Sequence, residues 1–105
     1  MIEAISNGAR GDEDQVVVPL RGEIDVEACG ATRERLHTMV DDGARHVVLD
    51  LRDLSFMDSS ALGMLVGLHR RLQSLDGQLE LRAPAGPIRR ALAVTGLDQV
   101  LVIVD

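Results

Sequence analysis

The sequence contains no lysine, tryptophan or tyrosine, one phenylalanine, Phe56, and one cysteine, Cys29. Each absence removes a class of chemistry. Without lysine there is no P-loop lysine to hold phosphates and no amine to form a Schiff base. A single aromatic ring builds no stacking platform for nucleic-acid bases. The formal net charge of −6 works against a nucleic-acid surface, which needs clustered cations to neutralise phosphates. One cysteine cannot form an internal disulfide. No apolar run approaches the ~20 residues that span a bilayer. The start, Met1-Ile2-Glu3-Ala4-Ile5, has neither the positive region nor the long apolar stretch of a secretory signal. A cytoplasmic chain with no membrane span and no nucleic-acid partner is expected.

What is present fits one small globular domain, residues 1–105, with 46% hydrophobic and 27% charged residues. Ile2–Ser6 reads as a short strand. Asn7–Asp14 reads as a polar turn, and its acids Asp12, Glu13 and Asp14 are too few and too isolated for a calcium loop. Gln15–Leu20 is a valine-rich strand in which Pro19 marks a bulge or an amide facing away from the ladder. Asp25 is placed to cap a first helix whose apolar stripe is Val26, Cys29, Leu36, Met39 and Val40, with Gly43 at its end. Cys29 reads as a small buried helix residue without a basic neighbour to activate it. Toward the other end, Gln78–Ala83 alternates polar and apolar residues as a strand. Pro87 opens a third helix with Ile88, Ala91 and Leu92 on its inner side, Gly96 ends it, and Val100–Val104 is the last strand.

The centre of the chain carries the most information. Val47-Val48-Leu49 is apolar without alternation, as in a strand buried on both faces. After a short loop, Asp58-Ser59-Ser60 offers three side-chain oxygens that can accept bonds from the free amides of a helix's first turn. From Ala61 the spacing becomes helical. Ala61, Met64, Leu65, Leu68, Leu72 and Leu75 share one face of a helix over Ser60–Leu75, while Leu62 and Val66 widen it and leave apolar surface beside Ser59. The resulting order, β-β-α-β-α-β-α-β, predicts an α/β domain with a mixed β-sheet and crossing helices. On pattern alone, Asp58-Ser59-Ser60 is a capping cluster.

Leu54-Ser55-Phe56-Met57-Asp58-Ser59-Ser60-Ala61-Leu62-Gly63 closely resembles the signature of STAS domains of the anti-anti-sigma type. Gly22-Glu23-Ile24-Asp25 is similar to a second recurring turn of that family, and Ala61 departs from it where many members carry glycine. The resemblance implies that Ser59 is the phosphorylated residue, surrounded by a partner-binding surface of Asp25, Asp58, Ser60, Leu62 and Gly63. It implies an anti-sigma factor antagonist. The unphosphorylated form would bind an anti-sigma factor that is also a serine kinase, releasing the sigma factor. Phosphorylation would end the interaction, and a metal-dependent serine phosphatase would restore it. Members usually add a C-terminal helix after the last strand, whereas this sequence ends at Asp105. STAS domains also serve as regulatory subunits of stress-signalling assemblies and of lipid-transport complexes, which gives an alternative role on the same fold.

Catalysis is not expected. A serine hydrolase would need a nucleophile elbow of the Gly-x-Ser-x-Gly type, which is missing, and Asp58 adjoining the serine is poorly placed to orient a distant histidine. No metal site and no cofactor is expected.

Overall fold

The computed structural model describes residues 15–105. The strand expected at Ile2–Ser6 and the turn expected at Asn7–Asp14 lie outside the described residues. The elements are β1 (Gln15–Pro19), β2 (Gly22–Ile24), α1 (Val26–Asp41), β3 (His46–Asp50), β4 (Leu54–Met57), α2 (Ser59–Ser74), β5 (Gln78–Arg82), α3 (Gly86–Val94), a 3-10 turn (Leu97–Gln99) and β6 (Val102–Val104). The expected α/β domain with helices crossing between strands is what forms. Two short strands are added to the expected order. β2 is three residues long within what reads as a helix-capping turn, and β4 fills what reads as the loop before Asp58.

β3 lies inside a four-stranded sheet of order β1-β3-β5-β6, and β2 pairs with β4 in a separate ribbon. Every pairing among the described residues is parallel. An antiparallel member, which a mixed sheet requires, is not among the described residues. Pro19 sits at the end of β1 opposite Asp50, where its missing amide costs little at a strand terminus.

Register decides which side chains reach the core. Val16, Val47 and Leu79 form one row across the sheet, and Val18, Leu49, Leu81 and Ile103 form another. Both rows point to the face where Leu36, Val40, Met64, Leu65, Leu68, Leu72, Ile88 and Leu92 of the three helices close one hydrophobic core. Val48 belongs to the opposite face, in a row with Val17, Glu80 and Val102. It is nonetheless fully buried like its neighbours Val47 and Leu49, as expected of a strand covered on both faces. Cover thins toward the sheet edge, where Val102 and Val104 are exposed.

The inner stripe of α1 is Cys29, Thr32, Leu36 and Val40. Thr32 belongs to it because its hydroxyl donates to the Ala28 carbonyl at 2.9 Å, which satisfies the polar group inside the core. Val26 does not belong to it. Expected in the core, it is 73% exposed, because the first residue after the cap lies before the helix has turned its inner side toward the sheet. Leu75, expected to end the stripe of α2, is the exposed C-cap of that helix.

Candidate functional site

The two-stranded ribbon explains how the site is assembled. Ile24 pairs with Met57 in parallel, so the next residues, Asp25 and Asp58, leave neighbouring strands together. Each caps the helix that follows. Asp25 accepts the Ala28 amide at 3.0 Å and Asp58 Oδ1 accepts the Ala61 amide at 3.1 Å. Two helix N-termini therefore start side by side at the carboxyl ends of β2 and β4, the position where α/β folds commonly place their binding sites.

The ends are tied to each other. The Asp58 amide donates to the Ile24 carbonyl at 3.2 Å. The buried Cys29 thiol donates to the Ser60 carbonyl at 3.4 Å. A basic neighbour that the sequence reading did not anticipate, Arg33, places a guanidinium nitrogen 3.6 Å from the same sulfur. One helical turn separates Cys29 from Arg33, so the pair follows from the i,i+4 spacing.

Of the three polar residues at the start of α2, two bind each other. The Ser60 hydroxyl donates to Asp58 Oδ1 at 2.6 Å. That bond lowers the Asp58 pKa below the ordinary carboxylate value; the Ala61 amide adds to the effect, partial desolvation opposes it, and the Ser60 and Val26 amides contribute less. Asp58 is therefore ionised at neutral pH. Ser59 is left exposed at the first position of the helix. The capping role that pattern gives to the whole cluster thus belongs to Asp58, with Ser60 as its support.

Along α2, residues three and four positions beyond Ser59 continue its face: Leu62 and Gly63, then Val66 and Gly67. Leu62 is half-buried against the core, Gly63 and Gly67 are exposed, and Val66 is intermediate. All the candidate residues Asp25, Asp58, Ser59, Ser60, Leu62 and Gly63 thus come together at one end of the fold. Two neighbours escape a sequence reading. Spacing places Val26 on the inward stripe, and Phe56 carries no signal beyond being the sole Phe, Trp or Tyr residue. Both are exposed here.

Among the described residues, no cluster of three or more His, Cys, Asp or Glu side chains could hold a metal ion. Two surface hollows lie elsewhere, one against Glu34, Arg35, Thr38 and Met39, the other against Arg45, His46, Asp76, Gly77 and Gln78. The Ser59 turn lines neither of them.

Comparison with known proteins gives the family. Residues 8–105 match the model of the STAS domain. The anti-sigma-B factor antagonist of Bacillus subtilis (strain 168) is 31% identical over 99 residues, covering 94% of this chain and 90% of that protein. The anti-sigma F factor antagonist of Paenibacillus polymyxa is 30% identical over 91 residues, 86% of this chain and 78% of its own. Among solved structures, the anti-sigma factor antagonist SpoIIAA in its unphosphorylated form superposes with a TM-score of 0.83 at 25% identity, covering 98% of this chain and 87% of that one. The Bacillus cell fate determinant SpoIIAA in its phosphorylated form gives a TM-score of 0.75 at 25% identity over 98% of this chain and 90% of that one. The chain belongs to the STAS domain family.

Proposed function

We propose that this protein is an anti-sigma factor antagonist switched by phosphorylation of Ser59. The observation that carries the reading is the division of labour at the start of α2. Asp58 and Ser60 satisfy each other and the helix end, and Ser59 stays exposed with no part in the cap. A kinase can therefore modify Ser59 without dismantling the helix. The relatives named as antagonists of anti-sigma factors, and the solved phosphorylated and unphosphorylated forms of SpoIIAA, support the same reading.

A phosphoryl group on Ser59 would add about −1.5 to −2 charges at pH 7. The partial positive charge of the helix N-terminus favours it, and the ionised Asp58 next door opposes it. These influences offset one another within the free domain. A partner surface shaped for a neutral hydroxyl has no such compensation, because docking would desolvate the new charge. The unphosphorylated form binds the anti-sigma factor, which acts as the serine kinase, and a metal-dependent phosphatase restores binding. The surface used comprises Asp25, Asp58, Ser60, Leu62 and Gly63 around Ser59. The role is one of binding, which the names of the relatives as antagonists of anti-sigma factors support. Among the described residues no helix is long and apolar enough to cross a membrane.

The test is intact-mass analysis after incubation with ATP and each anti-sigma kinase encoded by the host, followed by peptide mapping. A single phosphate on Ser59, absent from Ser59→Ala, is expected. Modification elsewhere, or by none of these kinases, would overturn the assignment.

A further inference from the structure

Ser59 stands between two ties to the backbone, and both run to the β2–α1 segment. On one side the Asp58 amide donates to the Ile24 carbonyl at 3.2 Å. On the other the Cys29 thiol donates to the Ser60 carbonyl at 3.4 Å. The first tie continues the pairing of β2 with β4 and needs no particular side chain. The second joins residues 31 positions apart in the sequence and depends on one side chain alone.

The direction of the second tie follows from its chemistry. Arg33 places a guanidinium nitrogen 3.6 Å from the Cys29 sulfur, and a guanidinium can only donate. The sulfur accepts from Arg33, and its own hydrogen is left for the Ser60 carbonyl. Cys29 is 2% exposed, so water does not compete for this bond. Burial also keeps the thiol out of reach of any kinase that docks on Ser59.

Building on the reading of Ser59 as the switch, we propose that Cys29, held by Arg33, is a positioning residue for the phosphorylation of Ser59. It acts through the Ser60 carbonyl and never touches the transferred group. With the residues before and after it fixed on α1 and its lead-in strand, Ser59 presents its hydroxyl from a backbone already in place. Phosphoryl transfer depends on such placement, because the attacking oxygen must lie in line with the leaving group.

The experiment uses the full chain as substrate for the kinase that labels Ser59, with kcat and KM measured separately. Cys29→Ala should lower kcat about fivefold, the scale of one neutral hydrogen bond, with KM unchanged because the docking surface is intact. Cys29→Ser, whose hydroxyl donates to the same carbonyl, should recover most of the loss. Val40→Ala removes buried volume from the far end of α1 and should leave kcat unchanged although it destabilises the domain. The NMR order parameter of the Ser60 amide should fall in Cys29→Ala and hold in Val40→Ala. If Ser59 is labelled but Cys29→Ala keeps kcat within twofold of wild type, the positioning role is refuted and the switch stands. Equal losses of kcat in Cys29→Ala and Val40→Ala would also refute it, since general stability would then explain both. If the wild type is not labelled at Ser59, the switch falls and the positioning role with it. Should Cys29→Ala fail to fold, Arg33→Ala at its exposed position decides: it should lower kcat, and an unchanged value overturns the proposal.

Discussion

The Ser60 hydroxyl donates to Asp58 Oδ1 at 2.6 Å, and that one bond separates the roles of two adjacent serines. It commits Ser60 to the cap and lowers the Asp58 pKa. A group whose pKa is lower in the folded state than in the unfolded chain stabilises the fold above its ordinary range and loses that contribution as pH falls through the folded value. Ser60→Ala should raise the Asp58 pKa toward the ordinary carboxylate value and make acid unfolding set in at higher pH. Carboxyl carbon titration by NMR would show the shift. Phosphorylation of Ser59 should persist in this variant, and its loss would mean that Ser60 helps to present the site.

A second titrating contact lies at the far ends of the paired helices. Arg71 of α2 donates to His37 Nδ1 at 3.0 Å, to the His37 carbonyl at 3.1 Å, and to Asp41. Because arginine can only donate, the imidazole is neutral here with its proton on Nε2. Burial is the first cause of its lowered pKa and the Arg71 charge the second, while Asp41 pulls the other way. Stability should therefore be complete above the ordinary histidine value of about 6.5 and decline as pH falls through the lower folded value. Denaturant unfolding on both sides of that value measures it. His37→Gln, which keeps an acceptor for Arg71, should abolish this part of the pH dependence.

Glycines separate packing from local propensity. A Cβ at Gly77 would sit 2.2 Å from the Arg45 carbonyl oxygen, where the Gln78 amide also bonds that oxygen at 2.7 Å. Gly77→Ala must push two backbone segments apart, and a loss of at least about 2 kcal/mol is expected, typical of overpacking. At Gly67, inside α2, a Cβ would meet nothing within 4 Å. Gly67→Ala should stabilise the domain by about 0.5–1 kcal/mol through helix propensity alone. Thermal melts of the two variants should move in opposite directions.

How far the sequence reveals the fold depends on the scale of the signal. The Val47-Val48-Leu49 run and the helical spacing from Ala61 to Leu72 are long patterns set by burial, and both appear where expected. β2 and β4 are not legible, because three or four residues cannot display a period. Glu23, Ser55 and Phe56 face solvent on a ribbon that only tertiary pairing creates. The site is similar. Asp58-Ser59-Ser60 is visible as a cluster, yet hydrogen bonds decide which residue caps and which is exposed. Spacing misplaces Val26 because periodicity is blind to the first position of a helix, where direction is set by the cap.

The remaining prediction concerns the switch. Ser59 is exposed and outside the cap, so replacing it should leave the domain intact. Ser59→Ala is expected to melt with the wild type, bind the anti-sigma factor about as tightly, and escape phosphorylation. Ser59→Asp places a carboxylate beside the ionised Asp58 at a helix N-terminus. Favourable and unfavourable influences there are of similar size, so its melting temperature should move little. Binding is another matter, because the partner must desolvate the new charge without pairing it. A loss of ~1–3 kcal/mol is expected, the range for burying a poorly satisfied polar group. Calorimetry and melting curves on both variants separate the two effects. Equal affinities of the alanine and aspartate forms would remove the switch from Ser59. A large fall in the melting temperature of the aspartate form would instead assign any lost binding to unfolding.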